Sequence, residues 1–136
     1  LQASARRVPP VPIGTAWGLW IARKCIKLIS RERHYDQVRI ENRTTDAGVL
    51  VRLYTPTNSP TGAALLWVHG GGMVMGDVVA DDLFCATTAR DVGIVVISVN
   101  YRLAPEFPFP TPLNDCYAAW QWLQESAEDL QIDPCR

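Results

Sequence analysis

An α/β fold, with a mostly parallel sheet, an antiparallel N-terminal hairpin and helices on both faces, is the class this sequence predicts. Three observations carry it. Residues 63–68 and 94–99 are short, nearly continuous apolar runs, the pattern of strands covered on both faces. Segments of helical period follow each run, over 81–92 and 113–127. Two stretches of apolar alternation, 36–43 and 48–54, precede them. A hairpin followed by strand, helix, strand, helix is the element order of a sheet flanked by helices.

The composition fits one core-forming chain. Of its 136 residues, 48% are hydrophobic and 20% charged, the balance of a globular rather than a disordered sequence. A formal net charge of −1, with both signs mixed along the chain, gives no field that would gather nucleic acid or an anionic membrane. The four cysteines, Cys25, Cys85, Cys116 and Cys135, form no CxxC pair and have no histidine at zinc-ligand spacing, so no metal is expected. Most of them read as small buried hydrophobes. No apolar run approaches the roughly 20 residues of a bilayer span, so no membrane span is expected. The cytoplasm is the default location, and a chain opening at Leu1 is compatible with a leader removed upstream.

Each element has a local cause. Pro9, Pro10 and Pro12 block helix ahead of Gly14, so the opening reads as an extended arm. Thr15 is placed to cap a helix over 16–30. There Trp17, Trp20, Ile21, Ile26, Leu28 and Ile29 form a broad apolar face beside a basic one, which suits a packing helix or a lid over a hydrophobic pocket. Val38 and Ile40, then Val49, Val51 and Leu53, alternate on either side of Asp46-Ala47-Gly48, which is turn chemistry for a hairpin. The run 63–68 is expected to be a buried central strand. In the helix over 81–92, Leu83, Phe84, Ala86 and Ala89 are the expected inward positions, with Gly93 as a left-handed cap. In the helix over 113–127 they are Tyr117, Trp120 and Leu123 or Leu130. Residues 1–34 therefore divide off as an arm and helical cap segment, and 35–136 as core.

The chemistry is concentrated at Val68-His69-Gly70-Gly71-Gly72-Met73, where the first apolar run ends. Three consecutive glycines cost backbone entropy that a plain connector does not need. Close approach of backbone to a ligand explains them, since loop N–H groups in a water-poor pocket can stabilise the oxyanion of an acyl-transfer intermediate. Two alternatives stand beside this reading. A phosphate cradle fits poorly, because Gly70, Gly72 and Gly76 give GxGxxxG rather than GxGxxG, and the chain has no GK[ST]. A purely structural glycine turn is the other.

The segments LLWVHGGGMVMGD (65–77) and VVISVNYRLAPEFPFP (95–110) together resemble the hormone-sensitive lipase family of α/β-hydrolases. The likeness continues through Asp115-Cys116-Tyr117-Ala118-Ala119, Trp122-Leu123 and Ile132-Asp133-Pro134, and is weak before residue 35. It implies a carboxylic ester hydrolase that works through a serine acyl-enzyme on a small apolar acyl ester, without a cofactor. It also implies that the backbone N–H groups of Gly70, Gly71 and Gly72 form the oxyanion hole. His69 is then a loop scaffold, and Tyr101, Arg102, Pro105 and Glu106 organise the adjoining turn. Met73, Met75 and the Trp17/Trp20 helix line an acyl pocket or belong to ordinary core packing. His34 is expected to face solvent. Phe107 stands where the family often has histidine, and Val79-Ala80-Asp81-Asp82 replaces a stretch that usually contains one.

The family's nucleophile lies in a GxSxG elbow, with acid and histidine later in the chain. None of Ser4, Ser30, Ser59, Ser98 and Ser126 has that context. The expectation is that the triad lies beyond Arg136 and that these residues are the N-terminal half of a longer protein. The alternative is a non-catalytic hydrolase-like binding protein or receptor. Alone, the 136 residues are expected to be inactive toward short acyl esters. A sheet ending at the fourth strand would leave an apolar edge for the missing C-terminal half, a complementary chain or self-association to cover.

Overall fold

The computed structural model describes residues 14–58 and 61–135; the proline-containing arm expected before Gly14 lies almost wholly outside them. Helix α1 (Ala16–Ile29) opens the described chain. Strands β1 (Val38–Thr44), β2 (Leu50–Pro56) and β3 (Ala64–Val68) follow, then a 3-10 turn (Val78–Asp81), helix α2 (Asp82–Val92), strand β4 (Val95–Asn100) and helix α3 (Thr111–Glu125).

The sheet order is β1-β2-β4-β3. β1 and β2 form the expected antiparallel hairpin, β2 and β4 are also antiparallel, and β3 runs parallel to β4, so the described sheet is mixed. The parallel pair needs a crossover, which α2 supplies. Alternation along the strands then builds two cores. Val51, Leu53, Val95, Ile97 and Val99 face α3 through Ala119 and Leu123. Tyr54 and Val96 face α2 through Cys85, Ala86 and Ala89.

Capping follows the sequence closely at two helices. The Thr15 hydroxyl accepts from the Gly18 N–H at 3.3 Å at the start of α1. Gly93, at φ 72°, ends α2 in the left-handed conformation that glycine adopts without penalty. In α1, however, only Gly18 and Leu19 are buried, and Trp17, Trp20, Leu28 and Ile29 face outward.

Several expected positions are corrected. Ala86 and Ala89 are buried as expected, but Leu83 and Phe84 are exposed, and Asp82 and Cys85 complete the buried face of α2. Leu123 is buried as expected, but Tyr117 and Trp120 are exposed, and Pro112, Asp115 and Ala119 complete the buried face of α3. Both inward stripes include an aspartate that has found an arginine partner, so a search for apolar periodicity alone rotates each helix away from its true face. β3 is half-buried rather than central, because it is the last strand of the described sheet. Of the cysteines only Cys85 is fully buried; Cys25 and Cys135 are exposed and Cys116 is intermediate.

The aspartate in α3 also sets a pH response. Asp115 Oδ2 accepts from the Arg102 N–H and Nε, both at 2.9 Å, and Oδ1 accepts from Nη2 at 2.6 Å. Burial works to raise the Asp115 carboxyl, but the bonds from the Arg102 side chain and backbone outweigh it and hold the group below its ordinary value. A depressed folded value stabilises the fold above the unfolded carboxylate value, about 3.9, and that contribution is lost as pH falls below it. Asp115→Asn is therefore expected to lower the urea midpoint at pH 7 and to flatten its decline between about pH 4 and pH 2.

Candidate active site

Parallel pairing places the C-terminal end of β3 beside that of β4, so His69 lies next to Tyr101. Their rings stack at 4.2 Å, with 19° between planes, and both are buried, His69 at 5% exposure and Tyr101 at 3%. The Tyr101 hydroxyl donates to the His69 carbonyl at 2.7 Å and lies 3.1 Å from His69 Nδ1. Burial pushes the Tyr101 hydroxyl up to about 12, so it stays a donor at neutral pH. His69 Nδ1 is 2.9 Å from the Gly70 carbonyl. That carbonyl can only accept, so the network assigns the Nδ1–H tautomer.

These bonds aim the loop. The peptides from His69 to Gly72 are trans, and in a trans peptide the carbonyl and the next residue's N–H point in opposite directions. The His69 carbonyl is held by Tyr101, which directs the Gly70 N–H. The Gly70 carbonyl is held by the His69 ring, which directs the Gly71 N–H. The Gly71 carbonyl accepts from the Val74 and Met75 N–H groups, both at 3.2 Å, which directs the Gly72 N–H. Gly70, Gly71 and Gly72 are exposed, and among the described residues their three N–H groups have no protein acceptor. Oriented N–H donors without protein acceptors have the chemistry to receive an anionic oxygen.

The glycines are required by geometry at two places. Gly71 has φ 122°, and a Cβ there would lie 2.0 Å from the Met75 carbonyl oxygen. Gly76 has φ 128°, and a Cβ there would lie 2.2 Å from His69 Cε1 and Nδ1. Gly70 has open space around it; its lack of a side chain leaves access rather than relieving a clash. Gly76 is a positioning residue that sequence reasoning used only to test spacing. The signal available was a fourth glycine directly before Asp77, whose carboxylate accepts from the Val79 N–H at 2.9 Å and starts the 3-10 turn.

The other candidates divide. Met73 is half-buried and packs with Leu66 and Leu103 against the α3-side core. A cavity of about 250 Å³ beside the site is lined by Arg23, Asn100, Tyr101, Arg102, Leu103, Glu106 and Phe107, and by neither Met73 nor Met75. Arg102 anchors to α3, while Glu106 pairs with Arg23 of α1 at 2.8 Å. Pro105 follows a cis peptide. The His34 side chain is 88% exposed, away from any of this.

Tyr101→Phe tests the aiming bonds. Removing the hydroxyl leaves the His69 carbonyl without its donor at a buried position, which is expected to destabilise the fold by about 1–3 kcal/mol in chemical denaturation. Faster amide exchange within 70–76 is the accompanying local signature; an unchanged midpoint would contradict the role assigned to the hydroxyl.

Residues 65–136 match a family model described as alpha/beta hydrolase fold. The ethyl acetate hydrolase of Pseudomonas putida is 49% identical over 89 residues, covering 63% of this chain and 28% of that protein. Carboxylesterase NlhH of Mycobacterium tuberculosis is 33% identical over 136 residues, covering 93% of this chain and 42% of that protein. The solved structure of a bacterial heroin esterase superposes with a TM-score of 0.83 at 36% identity, covering 95% of this chain and 43% of that one. The chain thus spans well under two thirds of each protein it matches.

Proposed function

This chain belongs to the α/β-hydrolase fold family, and we propose that the protein carrying it is a carboxylic ester hydrolase in which Gly70, Gly71 and Gly72 form the oxyanion hole. The observation that carries the reading is the row of unpaired loop N–H groups, each directed by a carbonyl held on the opposite side of its peptide. When a nucleophile adds to an ester carbonyl, the oxygen becomes an anion, and donors fixed in advance stabilise it without reorganising. Two of the three donors are enough for one oxyanion. His69 acts here through the loop it holds, since its Nδ1 is committed to the Gly70 carbonyl. The 136 residues contain no GxSxG sequence, so the nucleophile, base and acid of a serine acyl-enzyme mechanism lie outside them. Residues 14–34 form a helical cap segment and 35–136 contribute the oxyanion half of the core.

The groove between β3 and α3, lined by Ala64, Leu66, Trp120, Leu123 and Ile132, is the surface on which a C-terminal half or a second copy packs. Gln124 and Asp133 also line it, while Ala64, Leu66, Leu123 and Ile132 are continuous with the α3-side core. Among the described residues no helix is long and apolar enough to cross a membrane. The substrate class is a small apolar acyl ester.

The test is hydrolysis of p-nitrophenyl acetate and butyrate by the full-length protein, with and without a serine-directed phosphonate. Turnover that the phosphonate abolishes is the expected result. Saturable ester binding without turnover would replace the enzyme with a hydrolase-like binding protein. Turnover by the 136 residues alone, sensitive to the same inhibitor, would overturn the assignment of the nucleophile to other residues.

A further inference from the structure

Helix α1 reaches the glycine loop through one side chain. Arg23 Nε donates to the Val74 carbonyl at 2.8 Å, Nη2 donates to the Ala104 carbonyl, and Nη1 donates to Glu106 Oε1 at 2.8 Å and Oε2 at 3.0 Å. The two backbone segments it bridges are already joined, since the Ala104 N–H donates to the Met73 carbonyl at 2.9 Å. Val74 is therefore held on both sides. Its carbonyl accepts from Arg23, and its N–H donates to the Gly71 carbonyl, the group whose direction sets that of the Gly72 N–H. Tyr101 and His69 aim the first two donors of the row; this chain of bonds aims the third.

We propose that Arg23 is a positioning residue for the oxyanion loop, fixing the Gly72 N–H through Val74 while tying α1 to the loop and to the Ala104–Glu106 turn. A planar guanidinium suits this role because it presents several donors in a fixed fork, and here they meet two carbonyls and a carboxylate from segments far apart in sequence. A lysine can reach one of these acceptors at a time. The catalytic consequence rests on the oxyanion reading above, whereas the mechanical one, a fixed Val74 peptide, does not.

The two are separated by measuring both on the full-length protein. Arg23→Ala is expected to lower kcat for p-nitrophenyl acetate about tenfold per titrated active site, with KM within about twofold, because a misaimed donor weakens the transition state more than the ground state. It is also expected to speed exchange of the Val74 and Met75 amides, the two that bond the Gly71 carbonyl. Arg23→Lys should restore part of both effects. Glu106→Gln, which leaves the two carbonyl acceptors in place, should affect both less than Arg23→Ala does. A role confined to anchoring α1 would lower the thermal midpoint and leave kcat per titrated site and the two exchange rates unchanged, and that result overturns the proposal. So does a Lys variant as impaired as Ala in kcat with wild-type exchange. If the wild type hydrolyses no ester, the enzyme reading fails, and the exchange rates alone decide whether Arg23 fixes the loop. If Arg23→Ala does not fold, Arg23→Lys against wild type decides the same two measurements.

Discussion

Gly71→Ala is expected to lower ester turnover of the full-length protein by about 100- to 1000-fold, the loss typical of removing an oxyanion donor. The added Cβ would sit 2.0 Å from the Met75 carbonyl oxygen, on a backbone with φ 122°, so the substitution is strained both by contact and by conformation. The neighbouring carbonyl cannot yield alone, because the Met75 N–H bonds the Gly71 carbonyl and the two residues close the same turn. The loop must change shape, and the three N–H groups lose the directions set by their carbonyl partners. Gly70→Ala is the matched control. It meets nothing within 4 Å, so any loss of turnover there reports on crowding at the substrate rather than on the loop's shape. Similar losses in both variants with an unchanged thermal midpoint would show that the clash at Gly71 is relieved elsewhere.

Asp82→Ala is expected to destabilise the fold by about 3–5 kcal/mol, the range for leaving a buried charge without its partner. Asp82 is 1% exposed and Arg52 5%. Asp82 Oδ1 accepts from Arg52 Nε at 2.9 Å and from the Tyr54 hydroxyl at 2.7 Å, and Oδ2 accepts from Arg52 Nη2 at 3.1 Å. Arg52 Nη1 keeps Glu32 and Asn42 at 3.1 Å, but Glu32 is largely exposed and cannot replace a buried carboxylate. Replacing Arg52, Asp82 and Tyr54 together by Met, Leu and Phe should recover most of the loss, since well-packed apolar residues are often neutral in place of a buried ion pair and the Phe leaves no buried hydroxyl without its acceptor. A triple variant as unstable as Asp82→Ala would assign the cluster a role beyond mutual compensation.

The same pair shows where sequence reading stopped. The strands were legible because their apolar runs and alternation come from β geometry alone, and Thr15 and Gly93 marked helix ends by local chemistry. The inward faces of α2 and α3 were legible only at Ala86, Ala89 and Leu123, because Asp82 and Asp115 belong to them only once Arg52 and Arg102 arrive from the sheet and its exit. In the site, the glycine loop announced itself through its entropy cost. Met73 could be read as pocket or core from sequence, and it lies half-buried against the α3-side core. The Gly76 contact with His69 and the reach of Arg23 to Val74 and Glu106 leave no local pattern, since they join residues that only the fold brings together.

Presentation of the loop N–H groups to a developing oxyanion is tested most directly by following the 1H and 15N resonances of Gly70, Gly71 and Gly72 in the full-length protein as a phosphonate forms its covalent adduct, with mass spectrometry confirming adduct formation. Arrival of the anionic oxygen should move at least two of the three amide protons strongly downfield and protect them from exchange. A fully formed adduct that leaves all three resonances and their exchange rates where they were would contradict the oxyanion role of the loop.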